Sequence, residues 1–314
     1  MSHPVRDPRD GFVAALVDLA KNDPRIVVVV NDSLGSSKLA PFQEAYPDRT
    51  INVGIAEQNM VGVSAGLANA GRIPFVSAAG SFLSARGMEQ VKVDAGYSRN
   101  NIKLCAQSPG YAYGNLGATH HSAEDLAWMR AIPGMVVLAP ADYRETYAAI
   151  IWAAAYEGPV YIRIPRLGMA DFTPEQPFEA GVAIQLRAGT DATIISTGVV
   201  TPRALAAADA LAGEGINVRV LHMPTVKPID ADAVLAAATE TGAIVAAEEG
   251  TNVGALGGAI AELVSETNPV PVVRVGVPDE FPPTGSETWI LDHYGVDAEG
   301  IATAVKRGVD RKTN

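Results

Sequence analysis

Glu57 stands alone as a charged group in a glycine-containing, largely uncharged stretch, Asn52-Val53-Gly54-Ile55-Ala56-Glu57-Gln58-Asn59-Met60. Ile51 and Val53 read as the end of a short strand, and Gly54 permits a tight turn. Val61, Ala65 and Leu67 then continue with helical spacing. The carboxyl group therefore falls in the first turn of a helix, where the macrodipole favours its ionised form. Apolar burial pulls the other way, towards the protonated form. A carboxyl group under such opposing pulls suits proton exchange with a nitrogen base. It equally suits a plainer task, accepting the free backbone N–H groups at a helix start.

A second candidate is the pair His120 and His121, in Gly117-Ala118-Thr119-His120-His121, within a loop predicted over 107–123. A histidine on a polar loop between Gly117 and Ser122 is poorly explained by core packing, and loops on rigid scaffolds often carry function. Other motifs point to structure. Glu248 and Glu249 close an apolar strand and suit cap or dimer contacts. His222 also follows an apolar strand and reads as structural. Gly254-Ala255-Leu256-Gly257-Gly258 lacks the spacing of a dinucleotide cradle and reads as a helix-start turn.

These residues need a scaffold, and strand and helix patterns alternate along the whole chain. Strands are predicted at Ile26–Val30, 73–77, 102–106, 135–138 and Val160–Ile164. Helices are predicted around 38–46, 57–69, 83–98, 124–130 and 143–156. Such alternation predicts a doubly wound, mostly parallel α/β sheet. The proline-bearing stretch 165–181 reads as a linker. A second α/β unit follows, with strands at 192–196, 218–221, 243–247 and 270–275, and a loop over 276–285. The domains are set at 8–172 and 181–309.

Composition restricts the function. A length of 314 residues accommodates two domains, and 48% hydrophobic with 19% charged residues describes a globular chain with ample core. The net charge of −11 argues against nucleic acid or an anionic membrane surface as partner. The single cysteine, Cys105, sits in an apolar strand and reads as an inert core thiol. The first residues lack an apolar core of the signal-peptide kind, and no run is long enough to span a membrane, so a cytoplasmic location is expected.

Residues 53–70 resemble the thiamine-diphosphate enzymes of the transketolase group, in particular split transketolases, whose chain is divided between two subunits. The resemblance continues through Phe82-Leu83-Ser84-Ala85-Arg86-Gly87-Met88-Glu89-Gln90 and Gly117-Ala118-Thr119-His120-His121. It extends through Ile132-Pro133-Gly134-Met135, Lys227-Pro228-Ile229-Asp230 and Ala246-Ala247-Glu248-Glu249-Gly250. It implies a pyrimidine-binding domain followed by a transketolase C-terminal domain. The Gly-Asp-Gly…Asn motif that holds Mg²⁺ and diphosphate in that family is missing here. An N-terminal transketolase subunit is therefore implied as the diphosphate- and Mg²⁺-binding partner. Pairing of two copies through the pyrimidine-binding domain is also implied, giving α2β2.

By this resemblance Glu57 shares a proton with a ring nitrogen of the cofactor's aminopyrimidine, and Phe82 packs on that ring with Arg86 and Met88 beside it. His120 contacts the sugar near the reacting centre, and Arg163, with Arg166 close by, binds substrate phosphate. Two positions depart from one-chain transketolases. Leu116 replaces an Asp that reads a sugar hydroxyl, and Ser108 replaces a phosphate-binding His. Ordinary pentose phosphates are therefore expected to be poor substrates. The alternatives are a 2-oxo-acid dehydrogenase β subunit, a 1-deoxyxylulose-5-phosphate synthase-like enzyme, or a non-catalytic subunit that keeps the fold.

Overall fold

A computed structural model describes residues 4–312. Short runs of β-branched residues set its first layer. Ile26–Val30 is buried along its whole length, as expected of a parallel strand covered by helices on both faces. It pairs in parallel with Thr50–Asn52 on one side and Ile73–Ala79 on the other. The sheet continues through Lys103–Gln107, Val160–Ile164 and Val136–Leu138, all parallel. Helix Pro8–Asn22 packs beside helix Tyr143–Ala155 on one face. Cys105 is fully buried in its strand, and burial pushes its thiol up, in keeping with an inert core group.

The seventh strand was not anticipated. Thr225–Lys227 comes from beyond the linker and closes the edge of this first sheet, antiparallel to Val136–Leu138. The second sheet orders Val272–Val277, Ile244–Thr251, Ala192–Ser196 and Val218–His222 in parallel, with Ile184–Arg187 antiparallel at the edge. The stretch that reads as a linker is tied down. Met169–Ala170 pairs with Val5–Arg6, and Thr173 gives both its backbone N–H and its hydroxyl hydrogen to Asp142. Residues 276–285 are followed by a further helix, Glu287–His293.

The helix predicted over 83–98 is instead two wide π-helical turns, Phe82–Arg86 and Val91–Tyr97, separated by Gly87 and the short Met88–Gln90. Gly87 donates to the carbonyl of Phe82, five residues back. Such expanded turns recur at functional sites because they re-aim side chains. Here the turn brings the Arg86 guanidinium 4.3 Å above the Phe82 ring.

Candidate active site

Asn31, Phe82, Ser108 and Arg166 all lie just past the carboxyl ends of parallel strands of the first sheet, where open α/β sheets place their ligands. Glu57 reaches the same end through the turn at Gly54, whose φ of 73° is the left-handed region that glycine enters without strain. The residue opens helix Glu57–Asn69 and is fully buried. Its Oε1 accepts from Asn31 Nδ2 at 2.7 Å, and its Oε2 accepts from Arg86 Nη1 at 2.8 Å. Burial pushes the Glu57 carboxyl up. The bonds from Arg86, from its own backbone N–H and from Asn31 outweigh that push and hold it below the usual range. Of the opposing pulls on this residue, the hydrogen bonds win, and the group is held as a carboxylate.

A line of rings and cations leads away from it. Arg86 lies over Phe82, and the Phe82 ring meets the His120 ring edge-on at 5.0 Å. His120 also faces Tyr113 at 6.2 Å, and the Arg166 guanidinium lies 5.0 Å over Tyr113. The structure thus joins Glu57, Arg86, Phe82 and His120, and it adds Asn31 and Tyr113, which the sequence reading did not single out. Asn31 directly follows Ile26–Val30, the strand next to the edge strand Thr50–Asn52, at the sheet's switch point. That position was the one available signal for it.

His120 Nδ1 shares a hydrogen bond of 2.9 Å with Thr119 Oγ1. His121 is buried against Tyr111, with Nε2 3.3 Å from the Gly114 carbonyl. Burial lowers its pKa, so a neutral ring donates through Nε2 to that carbonyl, and Nδ1 is left as an acceptor without a partner among the described residues. His121 belongs to the packing of the loop. Met88 is half-buried against the apolar cluster that includes Met60 and Val61 of the Glu57 helix.

Arg163 requires a correction. It was expected to bind substrate phosphate, but it is buried, and all three guanidinium nitrogens are engaged within the chain. Nε and Nη2 bind Asp125, Nη1 donates to the Glu249 carbonyl at 2.7 Å, and Nη2 also donates to the Ser122 carbonyl. Burial would lower its pKa, but the Asp125 charge raises it, so the guanidinium stays charged. The physical reason is position: Arg163 lies inside a strand whose faces are both covered, whereas Arg166 lies beyond the strand's end. Among the described residues, Arg166 Nη1 is buried without a hydrogen-bond partner, and so is the hydroxyl of Ser108. Gln107 and Ile164 are register partners, so Ser108 and Arg166 leave neighbouring strand ends. Leu116 is 56% exposed on the loop that carries His120.

The acidic pair of the second domain divides. Glu248 accepts the N–H groups of Leu256 and Gly257, both at 2.8 Å, and caps helix Leu256–Thr267. Glu249 turns to the first domain and accepts from the Tyr111 N–H at 2.7 Å. His222 is a buried bridge between Thr201 and Glu145. No helix among the described residues is long and apolar enough to cross a membrane.

The aromatic face of Phe82 beside a bonded carboxylate is a setting chemically suited to a nitrogen heterocycle. Residues 6–170 match the family described as transketolase, pyrimidine binding domain, and residues 181–301 match the transketolase C-terminal domain. The chain belongs to the transketolase family. It is 44% identical over 295 residues to one subunit of the apulose-4-phosphate transketolase of Phocaeicola vulgatus, covering 93% of this chain and 94% of that protein. It is 42% identical over 305 residues to a 6-deoxy-6-sulfo-D-fructose transketolase subunit of a Clostridium species, covering 97% and 95%. A solved structure described as a split gene transketolase, inactive beta4 tetramer, superposes with a TM-score of 0.89 at 41% identity, covering 98% and 99%. These reciprocal lengths are those of a split-transketolase subunit and do not favour the synthase, dehydrogenase or non-catalytic alternatives.

Proposed function

We propose that this chain supplies the aminopyrimidine half of a divided transketolase site and works only with a second, diphosphate-binding subunit that brings Mg²⁺. As a member of the transketolase family it is a transferase subunit, and its reaction is transfer of a two-carbon ketol unit from a ketose to an aldehyde with thiamine diphosphate. The observation that carries the proposal is the Glu57 carboxylate, bonded by Asn31 and Arg86 beside the Phe82 ring. These groups fit the ring end of the cofactor. They offer a carboxylate for a ring nitrogen and an aromatic face for the ring itself, whereas nothing in this set suits a diphosphate–metal group. The domains are taken as 8–172 and 181–309, with Thr225–Lys227 lent by the second to the first.

When bound, thiamine diphosphate supplies the carbon nucleophile that carries the two-carbon unit. Glu57 holds or releases a proton at the ring nitrogen, and Arg86 and Asn31 keep it ionised between turnovers. Phe82 orients the ring by stacking. His120, packed on Phe82, bonds an oxygen of the sugar. Arg166 takes the place first given to Arg163 and, with Ser108, binds an anionic substrate terminus. Two of the relatives are named for a phosphorylated and a sulfonated sugar, and a guanidinium with a free buried nitrogen suits either group. Leu116 offers no acceptor, which supports a substrate other than the ordinary pentose phosphates.

The exposed Ile55, directly before the Glu57 helix, and the exposed Leu116 support a site that other chains cover. We place the complex in the cytoplasm as α2β2, paired through the pyrimidine-binding domains. Calorimetry tests the division of labour. The chain alone is expected to bind thiamine diphosphate with Mg²⁺ negligibly, and addition of the partner is expected to restore binding. Tight Mg²⁺-dependent binding by this chain alone would overturn it.

A further inference from the structure

The loop between Lys103–Gln107 and helix Asp125–Ala131 carries Ser108, Tyr113 and His120, yet the second domain holds much of it in place. The Gly285 N–H donates to the Gly114 carbonyl at 3.2 Å, and the Tyr111 N–H donates to Glu249 Oε1 at 2.7 Å. Gly110, at φ 59°, lies so close to Glu249 that a Cβ there would stand 2.2 Å from the carboxyl carbon. Glu249 comes from strand Ile244–Thr251, and Glu287 opens helix Glu287–His293 beside it. The two carboxyl groups are within hydrogen-bonding reach of each other. Glu287 is only half-buried as a residue, but its Oε1 is shut off from solvent with no donor facing it among the described residues. Two carboxyl groups so placed bond only if a proton lies between them.

We propose that Glu249 and Glu287 share one proton, and that this pair is a positioning latch, fixing the loop that carries His120 and Ser108 against the second domain. The role of that loop in binding sugar rests on the function proposed above; the latch itself does not. Burial, then the neighbouring Glu249 charge and hydrogen bond, push Glu287 up to about 9. Burial also pushes Glu249 up, against the pull of Arg163. The other titratable and charged groups facing the pair are Tyr111 on the loop itself, Asp125 on the first domain's helix, Arg166 beyond its strand end and Arg203 on helix Thr201–Ala212.

The sign follows from a raised folded-state value. The proton is held, and the latch closed, on the acid side. The contribution to stability is complete below the ordinary 4.5, diminishes as pH rises, and is lost as pH passes about 9. Above that, two carboxylates face each other and the three arginines only partly offset their repulsion.

Hydrogen exchange of residues 108–122 in the full chain, corrected for intrinsic rates, tests the latch without partner or activity. Wild-type protection is expected to fall about tenfold or more as pH passes about 9. Glu287→Gln, a neutral isostere that can donate to Glu249, is expected to keep protection on both sides, and Glu287→Ala to lose it on both. Equal wild-type protection on the two sides, or a Gln variant as exposed as Ala, would overturn the proposal. If the Ala variant fails to fold, the wild-type and Gln pH series decide alone. In the reconstituted enzyme the Ala variant is expected to raise sugar KM about tenfold with cofactor binding unchanged, with rescue by Gln and a later alkaline fall in kcat/KM. Loop protection that tracks the proton while sugar KM stays fixed would count against the role of His120 and leave the latch standing.

Discussion

Glu57→Gln separates chemistry from structure at this site, because the two costs differ in size. The amide keeps the side chain's length and one oxygen, so one of the two bonds survives. If the oxygen stays with Asn31 Nδ2, the new amide nitrogen faces Arg86 Nη1 at the present 2.8 Å, donor against donor. Turning the amide over only moves that conflict to Asn31. Losing a hydrogen bond to a charged partner costs about 1.5–3 kcal/mol when buried, but the Arg86 side chain is 46% exposed and water replaces much of what it loses. The structural cost is therefore about 1 kcal/mol, a fall of about 2 °C in Tm for a chain of this size. Removing the exchangeable proton costs about 10²-fold or more in turnover, close to 3 kcal/mol of barrier. The larger loss cannot come from the smaller disturbance.

The assay is ketol transfer by the enzyme reconstituted with its diphosphate-binding subunit at saturating cofactor, beside thermal unfolding of the chain alone. The pH dependence gives a second check. A carboxyl held below its ordinary 4.5 contributes stability that is present above that pH and lost as pH falls through its folded value. The Gln variant lacks this acid-side loss, so its Tm should converge on that of wild type below pH 4.5. Near-normal turnover with saturating cofactor would refute the role given to Glu57.

The two neighbouring arginines should part company. Arg163→Ala strands Asp125 as a buried unpaired charge and is expected to cost about 3–5 kcal/mol of stability, read as a large drop in Tm or failure to fold. Arg166→Ala should leave Tm within a degree or two and raise KM for a phosphorylated or sulfonated substrate about tenfold or more, read in steady-state kinetics. Gly110→Ala and Gly134→Ala both place alanine at positive φ, which alone costs about 1–2 kcal/mol. Gly134 has open space, whereas the Cβ at Gly110 would strike Glu249, so the Gly110 variant should be clearly the less stable in denaturant titration.

The fold was legible because its signals are local. Unbroken apolar strands such as Ile26–Val30 and the glycine turn before Glu57 carry their own conformation, and the site follows from where such strands end. What escaped was set by distant partners. Thr225-Val226-Lys227 has no pattern of its own and becomes a strand only because Val136–Leu138 offers an open edge. The wide turns at Phe82–Arg86 and Val91–Tyr97 look like ordinary helix in sequence, since they differ only in which carbonyl each N–H chooses. Arg163 could have been set aside from the strand period alone. A cation inside Val-Tyr-Ile-Arg-Ile must lie under a covering layer, and its partner Asp125 drew no notice as an ordinary helix-start acid. Asn31 was hidden in the same way, an unremarkable residue in sequence that is decisive only beside Glu57.

The strand at Thr225–Lys227 also constrains how this gene can be rearranged. A chain cut at the linker would keep every residue matched to the pyrimidine-binding domain, yet it would expose Val136–Leu138 as a bare edge, ready to pair with any extended segment it meets. Recombination between relatives at that linker would hand the first sheet a borrowed edge strand from the other parent. The two domains are separate in outline but inherited as one piece, and a workable crossover must keep residues 136–138 and 225–227 from the same source.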